Sequence, residues 1–245
     1  MESQLSKDRN RVVLVTGGAI RMGAAIADEL AKAGWNVVVH ANRSRSEADV
    51  LCSRLRLYGV HAWSVAADLC LPDGAHALFE NTLKLAGRVD AIVNNAALFS
   101  LKREMSNLER ACMLSVNVQQ PAWLTSNLFD HLSVRRARGS VVNLLDQRIA
   151  RITMDAATPY EQSKLLLAHA TVSEARSLAP VLRINAVAPG AILCPTEEAA
   201  KEPAGRFPLG CRPTPADVAS AVRWLLETES ITGQTLYVDG GQHLL

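Results

Sequence analysis

The pair of residues best suited to chemistry in this chain is Tyr160 and Lys164, which stand four positions apart. Residues at this spacing lie on one face of a helix, so the two side chains are neighbours if the segment is helical. A Lys ammonium beside a phenol favours the phenolate and lowers the pKa of the Tyr. Tyr160 is therefore predicted to act as a general acid near neutral pH. A Tyr-x-x-x-Lys pattern is common by chance, so its position among the other elements matters.

A glycine-rich segment near the start of the chain could bind a phosphate group. Thr16–Gly23 joins an apolar run, Val12–Val15, to a segment with helical periodicity. Glycines permit a tight turn and let backbone N–H groups approach a phosphate, and the N-terminus of the following helix adds partial positive charge. The spacing is not a strict G-x-G-x-x-G, so an ordinary turn is the alternative. The place between the first strand and the first helix favours a nucleotide site.

The end of the second expected strand indicates which nucleotide binds. Folds that use NAD place an acidic residue there to bond the ribose 2′-hydroxyl. This chain has His40, Asn42, Arg43 and Ser44 in that region and no carboxylate. Arg43 can present a planar fork to a phosphate, and His40 and Ser44 can add donors. The sequence favours NADP(H) over NAD(H), and a solvated loop charge is the alternative role of Arg43.

Two other strand ends carry residues that suit a cofactor site. Asp68, followed by Leu69, closes the third expected strand, where the adenine edge would lie. Asn94, Asn95 and Ala96 close the fourth, where small residues allow the backbone to approach a cofactor closely. A simple turn is the alternative explanation of the Asn pair.

Strand-like and helix-like segments alternate along the chain. The expected strands cover residues 12–15, 37–39, 62–67, 89–93, 140–145, 182–187 and 235–238. The expected helices cover residues 22–32, 46–57, 72–86, 104–128, 160–178 and 215–227. We expect Pro121 to divide the fourth helix, because proline lacks a backbone donor and crowds the preceding turn.

This alternation predicts an α/β fold, a single Rossmann-type doubly wound parallel sheet of about seven strands with helices on both faces. Ligands of such sheets bind beyond the carboxyl ends of the strands, which is where the candidate residues stand. A polar tail, residues 1–10, is expected to precede one domain, residues 11–245. Residues 194–213 contain four prolines and two glycines and are predicted to form a mobile substrate loop.

The composition excludes several classes of protein. Hydrophobic residues make up 49% of the chain and charged residues 20%, which excludes an intrinsically disordered chain. No apolar run approaches the roughly 18–20 residues of a membrane span. The formal net charge of +2 and the four Phe, four Trp and three Tyr residues predict neither a nucleic-acid partner nor a membrane partner.

The cysteines and the start of the chain point to a reducing compartment. Five cysteines occur without a C-x-x-C pair, so a disulfide framework, a structural zinc or another metal site is not expected. Each cysteine is predicted to fill space in the core. The polar start lacks the apolar segment of a signal peptide, and the expected location is the cytoplasm.

The order of these motifs resembles that of the short-chain dehydrogenase/reductase family over nearly the whole chain. The matching marks are Thr16-Gly17 to Gly23, Asn94-Asn95-Ala96, Asn117, Tyr160 with Lys164, and Pro189-Gly190. The resemblance implies a Rossmann-type subunit in a homotetramer, with Tyr160 as proton donor. Lys164 would bind the nicotinamide ribose and tune Tyr160, and Asn117 would hold a proton-relay water. A helix-kink cap for Asn117 and a surface charge for Lys164 are the alternatives.

Two departures from the usual family pattern point to one branch of the family. Arg21 stands where the first loop usually has a glycine, and Asp146 stands where the fifth strand usually ends in a Ser. Both are features of pteridine reductases, as are the segment 40–44 and Phe99. The sequence is similar to the pteridine reductases and to the bacterial dihydromonapterin or dihydrofolate reductases. It departs from them at Ala97, where Ser is common, and in an Asp146–Tyr160 spacing one residue longer than expected.

This resemblance implies NADPH-dependent reduction of a pterin or folate C=N bond, with proton delivery by Tyr160 and Asp146. The flat ring would stack between Phe99 and the nicotinamide. Arg21 would neutralise the pyrophosphate and donate to the pterin carbonyl. The implied cofactor-binding residues are Gly17, Arg21, Met22, Gly23, His40, Asn42, Arg43, Ser44, Asp68, Leu69, Asn95, Ala96, Tyr160, Lys164, Pro189 and Gly190.

Two other functions stay open at this point. One is a generic carbonyl or 3-oxoacyl thioester reductase of the same family, which a Ser would serve better than Asp146 does. The other is a non-catalytic NADPH-binding regulator, against which the intact Tyr160 and Lys164 pair argues. Lys201 or Arg206, in the expected loop, could meet the glutamate of a folate or could simply be solvated.

Overall fold

The architecture is a parallel sheet covered by helices, as the sequence predicts. The computed structural model describes residues 10–192 and 207–245. Within them, seven strands form one sheet in the order β3-β2-β1-β4-β5-β6-β7, and every neighbouring pair is parallel. The strands are β1 (Val12–Val15), β2 (Asn36–Ala41), β3 (Ala62–Ala66), β4 (Ala91–Asn94), β5 (Gly139–Leu144), β6 (Leu182–Pro189) and β7 (Thr235–Val238). The predicted doubly wound Rossmann-type fold is confirmed.

Helices cover both faces of the sheet. They are α1 (Arg21–Lys32), α2 (Arg45–Arg56), α3 (Gly74–Ala86), α4 (Asn107–Leu114), α5 (Gln120–Arg135), α6 (Pro159–Ser177) and α7 (Pro215–Glu227). Each face of the sheet packs against helices in a hydrophobic core, and alternate residues of β1 contribute to one core and then to the other. Val13 and Val15 pack with α1, α2 and α7, whereas Val12 and Leu14 pack with α3 and α5. A strand buried on both faces must be apolar at every position, which explains the unbroken β-branched runs of the sequence.

The break in the fourth expected helix lies earlier than the sequence predicts. A single π turn, Ser115–Gln119, separates α4 from α5, and Pro121 lies in the first turn of α5. Pro121 offers no N–H to the carbonyl of Asn117, and its ring would crowd that carbonyl in a regular helix. The chain widens to a π turn before the proline, and α5 then continues to Arg135.

Several other element ends differ from the expectation by a few residues, and two of these differences have a clear structural reason. Helix α3 begins at Gly74, so Pro72 precedes the helix instead of lying in its first turn. A β-carbon at Gly74 would overlap the carbonyl oxygen of Asp68, which shows how closely the start of this helix approaches the end of β3. Strand β6 continues two residues beyond the expected end, to Pro189, because β7 pairs with it as far as Val238.

The prediction that every cysteine fills core space is wrong for one pair and for Cys211. Cys70, in the loop after β3, and Cys112, in α4, are joined as a disulfide with their Cα atoms 5.0 Å apart. The two are separated by 42 positions in the sequence, so spacing alone could not indicate the pair. Cys52 is a buried free thiol, as predicted, whereas Cys211 is an exposed one, contrary to the prediction. Cys194 lies outside the described residues.

Parts of the expected termini and loop lie outside the described residues. These are residues 1–9 of the polar tail and 193–206 of the loop region, including Lys201 and Arg206. The described end of that loop is anchored, because Phe207 is buried and the N–H of Leu209 donates to the carbonyl of Gly240. None of the described helices has the length and apolar character to cross a bilayer.

Candidate active site

Asp146 and Tyr160 meet beyond the carboxyl end of β5. Asp146 follows the strand by two residues, and its side chain caps a short 3-10 turn, Gln147–Ala150. Tyr160 lies in the first turn of α6, whose start is fixed by a capping box between Thr158 and Glu161. The Tyr160 hydroxyl donates to Oδ2 of Asp146 at 3.1 Å. The intervening loop absorbs the long spacing that the sequence shows.

The environment of Tyr160 raises the pKa of its phenol well above the usual range. Burial is the main cause, and the charge of Asp146 and its hydrogen bond to the phenol add to the effect. The sequence predicts the opposite direction, from the ammonium of Lys164. That prediction is wrong for this structure, because burial of the phenol and the neighbouring Asp146 carboxylate raise its pKa, while the ammonium lies 5.9 Å from the ring centre. Tyr160 therefore holds its proton, as a proton donor must.

Lys164 is fully buried on the same face of α6 as Tyr160. Its Nζ atom donates to the carbonyl of Leu144 at 2.7 Å and lies 5.9 Å from the centre of the Tyr160 ring. Burial lowers the pKa of Lys164 to about 8, although the charge of Asp146 opposes the shift. The surface-charge alternative does not hold, since the side chain is only 2% exposed.

Asn117 lies in the π turn and ties two parts of the site together. Its Oδ1 accepts from the N–H of Leu98, and its Nδ2 donates to the carbonyl of Leu98 and to Oγ of Ser163. The side chain thus holds the loop after β4 against α6. The amide groups of the side chain are thus engaged within the protein, and the relay water that the family resemblance implies at Asn117 stays a prediction.

Phe99, in the loop after β4, lies exposed beside the Tyr160 ring. Its ring meets that of Tyr160 edge to face, with the centres 4.8 Å apart and the planes at 75°. The side chain is 61% exposed, far more than an aromatic residue that only packs the core. The core-packing alternative for Phe99 is therefore ruled out, and its ring is available to a flat ligand.

The loop between β1 and α1 has the shape of a phosphate cradle. Gly17 has a left-handed backbone, with φ of +59°, and a β-carbon at Gly23 would overlap the carbonyl oxygen of Gly17. Asn95 braces the loop from the next strand, because its Nδ2 donates to the carbonyls of Thr16 and Gly17 at 2.9 and 3.0 Å. Ala96 adds a backbone hydrogen bond to Oγ1 of Thr16.

Arg21 opens α1 in a conformation that glycine adopts more easily. Its φ is +53°, so the residue keeps the left-handed backbone of the glycine that the family usually has there. The side chain is exposed at the cradle, and Met22 behind it packs against the core. The backbone path of the loop is thus preserved while a cation is added to it.

The prediction that His40 donates to a phosphate is wrong. His40 is buried, its Nδ1 accepts from the N–H of Gly17 at 3.1 Å, and its Nε2 contacts the carbonyl of Ala67 at 3.2 Å. Burial lowers the pKa of His40, so the ring is neutral, with the proton on Nε2. Both nitrogens are used inside the protein because His40 is still within β2. Its role is to support the glycine loop.

The residues that directly follow β2 are exposed where they can bind a phosphate. Asn42 and Arg43 are exposed and Ser44 is partly exposed, directly before α2. At the end of β3, Oδ1 of Asp68 accepts from the backbone N–H of Cys70 at 2.9 Å, which fixes the turn there. The Leu69 side chain packs into the core, so its backbone is what the site can use.

Pro189 ends β6 and Gly190 follows it, at the same edge of the sheet. A β-carbon at Gly190 would meet Oε1 of Gln242 and the backbone of Asp239, so the C-terminal turn approaches the chain closely here. The predicted site residues therefore stand together at the carboxyl ends of β1 to β6. The glycine cradle and the cations beside it fit a dinucleotide with an additional phosphate.

A family model described as enoyl-(acyl carrier protein) reductase matches residues 18–243, nearly the whole described chain. The chain belongs to the short-chain dehydrogenase/reductase family. The family members to which it is similar include a dihydrofolate reductase, an acetoin dehydrogenase and a 3-oxoacyl-[acyl-carrier-protein] reductase.

FolM alternative dihydrofolate reductase 1 from Brucella canis, solved with NADP, is 34% identical with a TM-score of 0.89, covering 97% of this chain and 96% of its own. Acetoin dehydrogenase YohF from Salmonella typhimurium is 28% identical with a TM-score of 0.85, covering 96% of each chain. The 3-oxoacyl-[acyl-carrier-protein] reductase FabG from Staphylococcus aureus is 27% identical over 94% of this chain and 97% of its own.

Sequence reasoning missed one residue of this reductase site. Arg148 lies in the turn after Asp146, and its Nη1 contacts Oδ2 of Asp146 at 2.8 Å. Its guanidinium carbon is 5.7 Å from the centre of the Phe99 ring. No motif marks Arg148, because the turn that carries it has no regular periodicity. Its place two residues after a strand-end carboxylate is the only signal that the sequence holds.

Proposed function

We propose that the protein is an NADPH-dependent reductase of 7,8-dihydropterins, with dihydromonapterin, dihydrobiopterin and dihydrofolate as candidate substrates. The observation that carries the proposal is the hydrogen bond from Tyr160 to a carboxylate, Asp146, in the place where a hydroxyl serves carbonyl reduction. The likeness to the Brucella dihydrofolate reductase supports it.

The proposed reaction adds a hydride to the carbon of a C=N bond and a proton to its nitrogen. NADPH, when bound, supplies the hydride. Tyr160 holds a proton at its hydroxyl, and Asp146 orients that hydroxyl through Oδ2. A carboxylate can also accept a hydrogen bond from a ring N–H or from a relay water, which a Ser hydroxyl does less well because it carries no charge. Phe99 would hold the flat ring by stacking.

The cofactor would lie across the glycine cradle. Gly17 and Gly23 leave room for the pyrophosphate, and Arg21 would neutralise it. Arg43, with Asn42 and Ser44, would bind the 2′-phosphate that distinguishes NADPH from NADH.

Replacing Arg43 by Asp should raise the KM for NADPH far more than the KM for NADH, because a carboxylate repels the phosphate and tolerates a hydroxyl. Steady-state kinetics with each cofactor checks this. The matched control is Arg138→Asp, the same charge change at an exposed position at the opposite end of the sheet. An equal change in both KM values would reject the assignment of Arg43.

The pKa of Lys164 gives a pH dependence with a definite sign. Since that pKa is lowered to about 8, the ammonium is lost as the pH rises through this value. The charged form is the one proposed to bind the nicotinamide ribose, so kcat/KM for NADPH should fall above about pH 8, as measured on the free enzyme. In Lys164→Arg the decline should move to higher pH, because a guanidinium stays protonated. A wild-type profile that stays flat far above this pKa contradicts the role.

The second candidate is a reductase of ketones or 3-oxoacyl thioesters, which the likeness to FabG and to acetoin dehydrogenase favours. The deciding experiment follows NADPH absorbance with three dihydropterins, a diketone and a 3-oxoacyl thioester. Turnover of at least one dihydropterin supports our proposal, and turnover of carbonyl compounds alone rejects it. Tight NADPH binding without any turnover would indicate a regulator.

We also propose a homotetramer, as the family resemblance implies. Trp123 and Val134, at equivalent positions three turns apart on α5, are 61% and 86% exposed. Such apolar side chains on one helix face are typical of a contact between subunits. Light scattering of the purified protein measures the assembly directly.

A further inference from the structure

The Asp146 carboxylate is held by two donors from a single residue. Its Oδ1 accepts from the backbone N–H of Arg148 at 3.0 Å, and its Oδ2 accepts from Nη1 of the same residue at 2.8 Å. The third donor is the Tyr160 hydroxyl, which shares Oδ2. The guanidinium and the phenol thus meet on one carboxylate oxygen.

The ion pair between Arg148 and Asp146 is more shielded from water than an ordinary surface ion pair. The Asp146 side chain is 14% exposed and that of Arg148 is 35% exposed, so the pair is partly shielded from water. A charge-assisted hydrogen bond in such a place restricts the carboxylate to one orientation. The same guanidinium lies over the ring of Phe99, on which the pterin is proposed to stack.

We propose that Arg148 is a positioning residue for proton delivery, which fixes the Asp146 carboxylate so that Oδ2 faces the Tyr160 hydroxyl. The inference rests on the proposed function, because Asp146 is assigned there to the proton-delivery pair. It adds a residue that contacts neither the C=N bond to be reduced nor the proton to be delivered. Arg148 acts through Asp146.

The electrostatics of the phenol agree with this role. The positive charge of Arg148 acts to lower the pKa of Tyr160, against burial and the charges of Asp146 and Glu161, which raise it. Without the guanidinium, an uncompensated carboxylate would face the phenol and make it a poorer acid. Arg148 therefore affects both the direction and the acidity of the O–H group.

The turn that carries Arg148 has its own support, so the residue can be changed without removing the turn. Ile149, next to it, packs against the small core around Leu145 and Leu167, to which Tyr237 also contributes. The backbone N–H of Ile149 also donates to the carbonyl of Asp146. These contacts do not involve the guanidinium, and we expect Arg148→Gln to fold.

A double-mutant cycle with Asp146 tests the proposal. Arg148→Gln should lower kcat for the dihydropterin about 10- to 100-fold, as expected for a misplaced catalytic group, and leave the KM for NADPH unchanged. Arg148→Lys should restore part of the loss. In the Asp146→Asn background, Arg148→Gln should cause little further loss, because the group that it positions has changed. The control is Arg151→Gln, an exposed arginine three residues away.

The role is overturned if the losses of kcat in the two single variants multiply in the double variant. It is also overturned if the Arg148→Gln enzyme is as active as the Arg151→Gln control. If the wild type reduces a ketone and no dihydropterin, the proposed function fails, and the same cycle with that ketone still decides the role of Arg148. A crystal structure of the Arg148→Gln variant gives a readout independent of turnover. It should show Asp146 turned away from Tyr160 or in several orientations, and an unchanged Oδ2–hydroxyl contact would contradict the inference.

Discussion

Replacement of Tyr160 by Phe is expected to lower kcat for the dihydropterin by about a thousandfold, within the range for loss of a general acid. The substitution removes the hydroxyl that donates to Asp146 at 3.1 Å and keeps the ring that meets Phe99. Substrate stacking and the fold should therefore survive. The KM values and the Kd for NADPH, measured by fluorescence quenching, should change little. Steady-state kinetics separates this effect on kcat from an effect on binding.

The control for this substitution is Tyr58→Phe. Tyr58 is an exposed residue whose hydroxyl contacts Asp28, far from the strand ends that form the site. It should retain wild-type turnover. A Tyr160→Phe enzyme that keeps more than about a tenth of the wild-type kcat would show that the proton reaches the substrate by another route.

The second large effect is a change in substrate preference on replacing Asp146 by Ser. The variant should lose dihydropterin reduction by about 100-fold or more, since the carboxylate that directs the proton is gone. Carbonyl reduction should be tolerated or improved, because a Ser hydroxyl can bond a carbonyl oxygen without repelling its developing negative charge. The measured quantity is the ratio of kcat/KM for a dihydropterin to that for a diketone.

Asp146→Asn separates charge from shape in the same assay. Asn keeps the size of the side chain and an oxygen that can accept from Tyr160, but it loses the ion pair with Arg148. It should lose dihydropterin reduction without gaining the carbonyl activity of the Ser variant. If Asp146→Ser lowers both activities equally, the carboxylate does not determine the substrate.

The sequence predicts best the strands that are buried on both faces of the sheet. The residues of β1 are at most 2% exposed, so every position had to be apolar, and the run Val12–Val15 shows it. The parallel direction of the strands follows from the alternation of strands and helices, because parallel strands need crossover connections. Parallel strands place the residues that follow them at one edge of the sheet, which is why Asp146 and Tyr160 could be expected to meet.

The predictions that failed, and the residues that were missed, are those in which the role depends on the direction of the side chain or on irregular backbone. His40 has the right chemistry for a phosphate, yet its side chain points into the protein, which residue type does not reveal. Arg148 and the Cys70–Cys112 pair depend on loop and turn geometry that no periodicity encodes. The direction of the pKa shift at Tyr160 depends first on burial of the phenol and then on its 3.1 Å contact with Asp146, and a linear spacing fixes neither.

The most direct test of the account is a crystal structure of the protein with NADP and methotrexate, a pteridine analogue. We expect its pteridine ring to lie between Phe99 and the nicotinamide, with a ring nitrogen within hydrogen-bond distance of Asp146 or Tyr160. An Asp146 side chain turned outward from the phenol, or a pteridine bound away from Phe99, would contradict the assignment to pterin reduction.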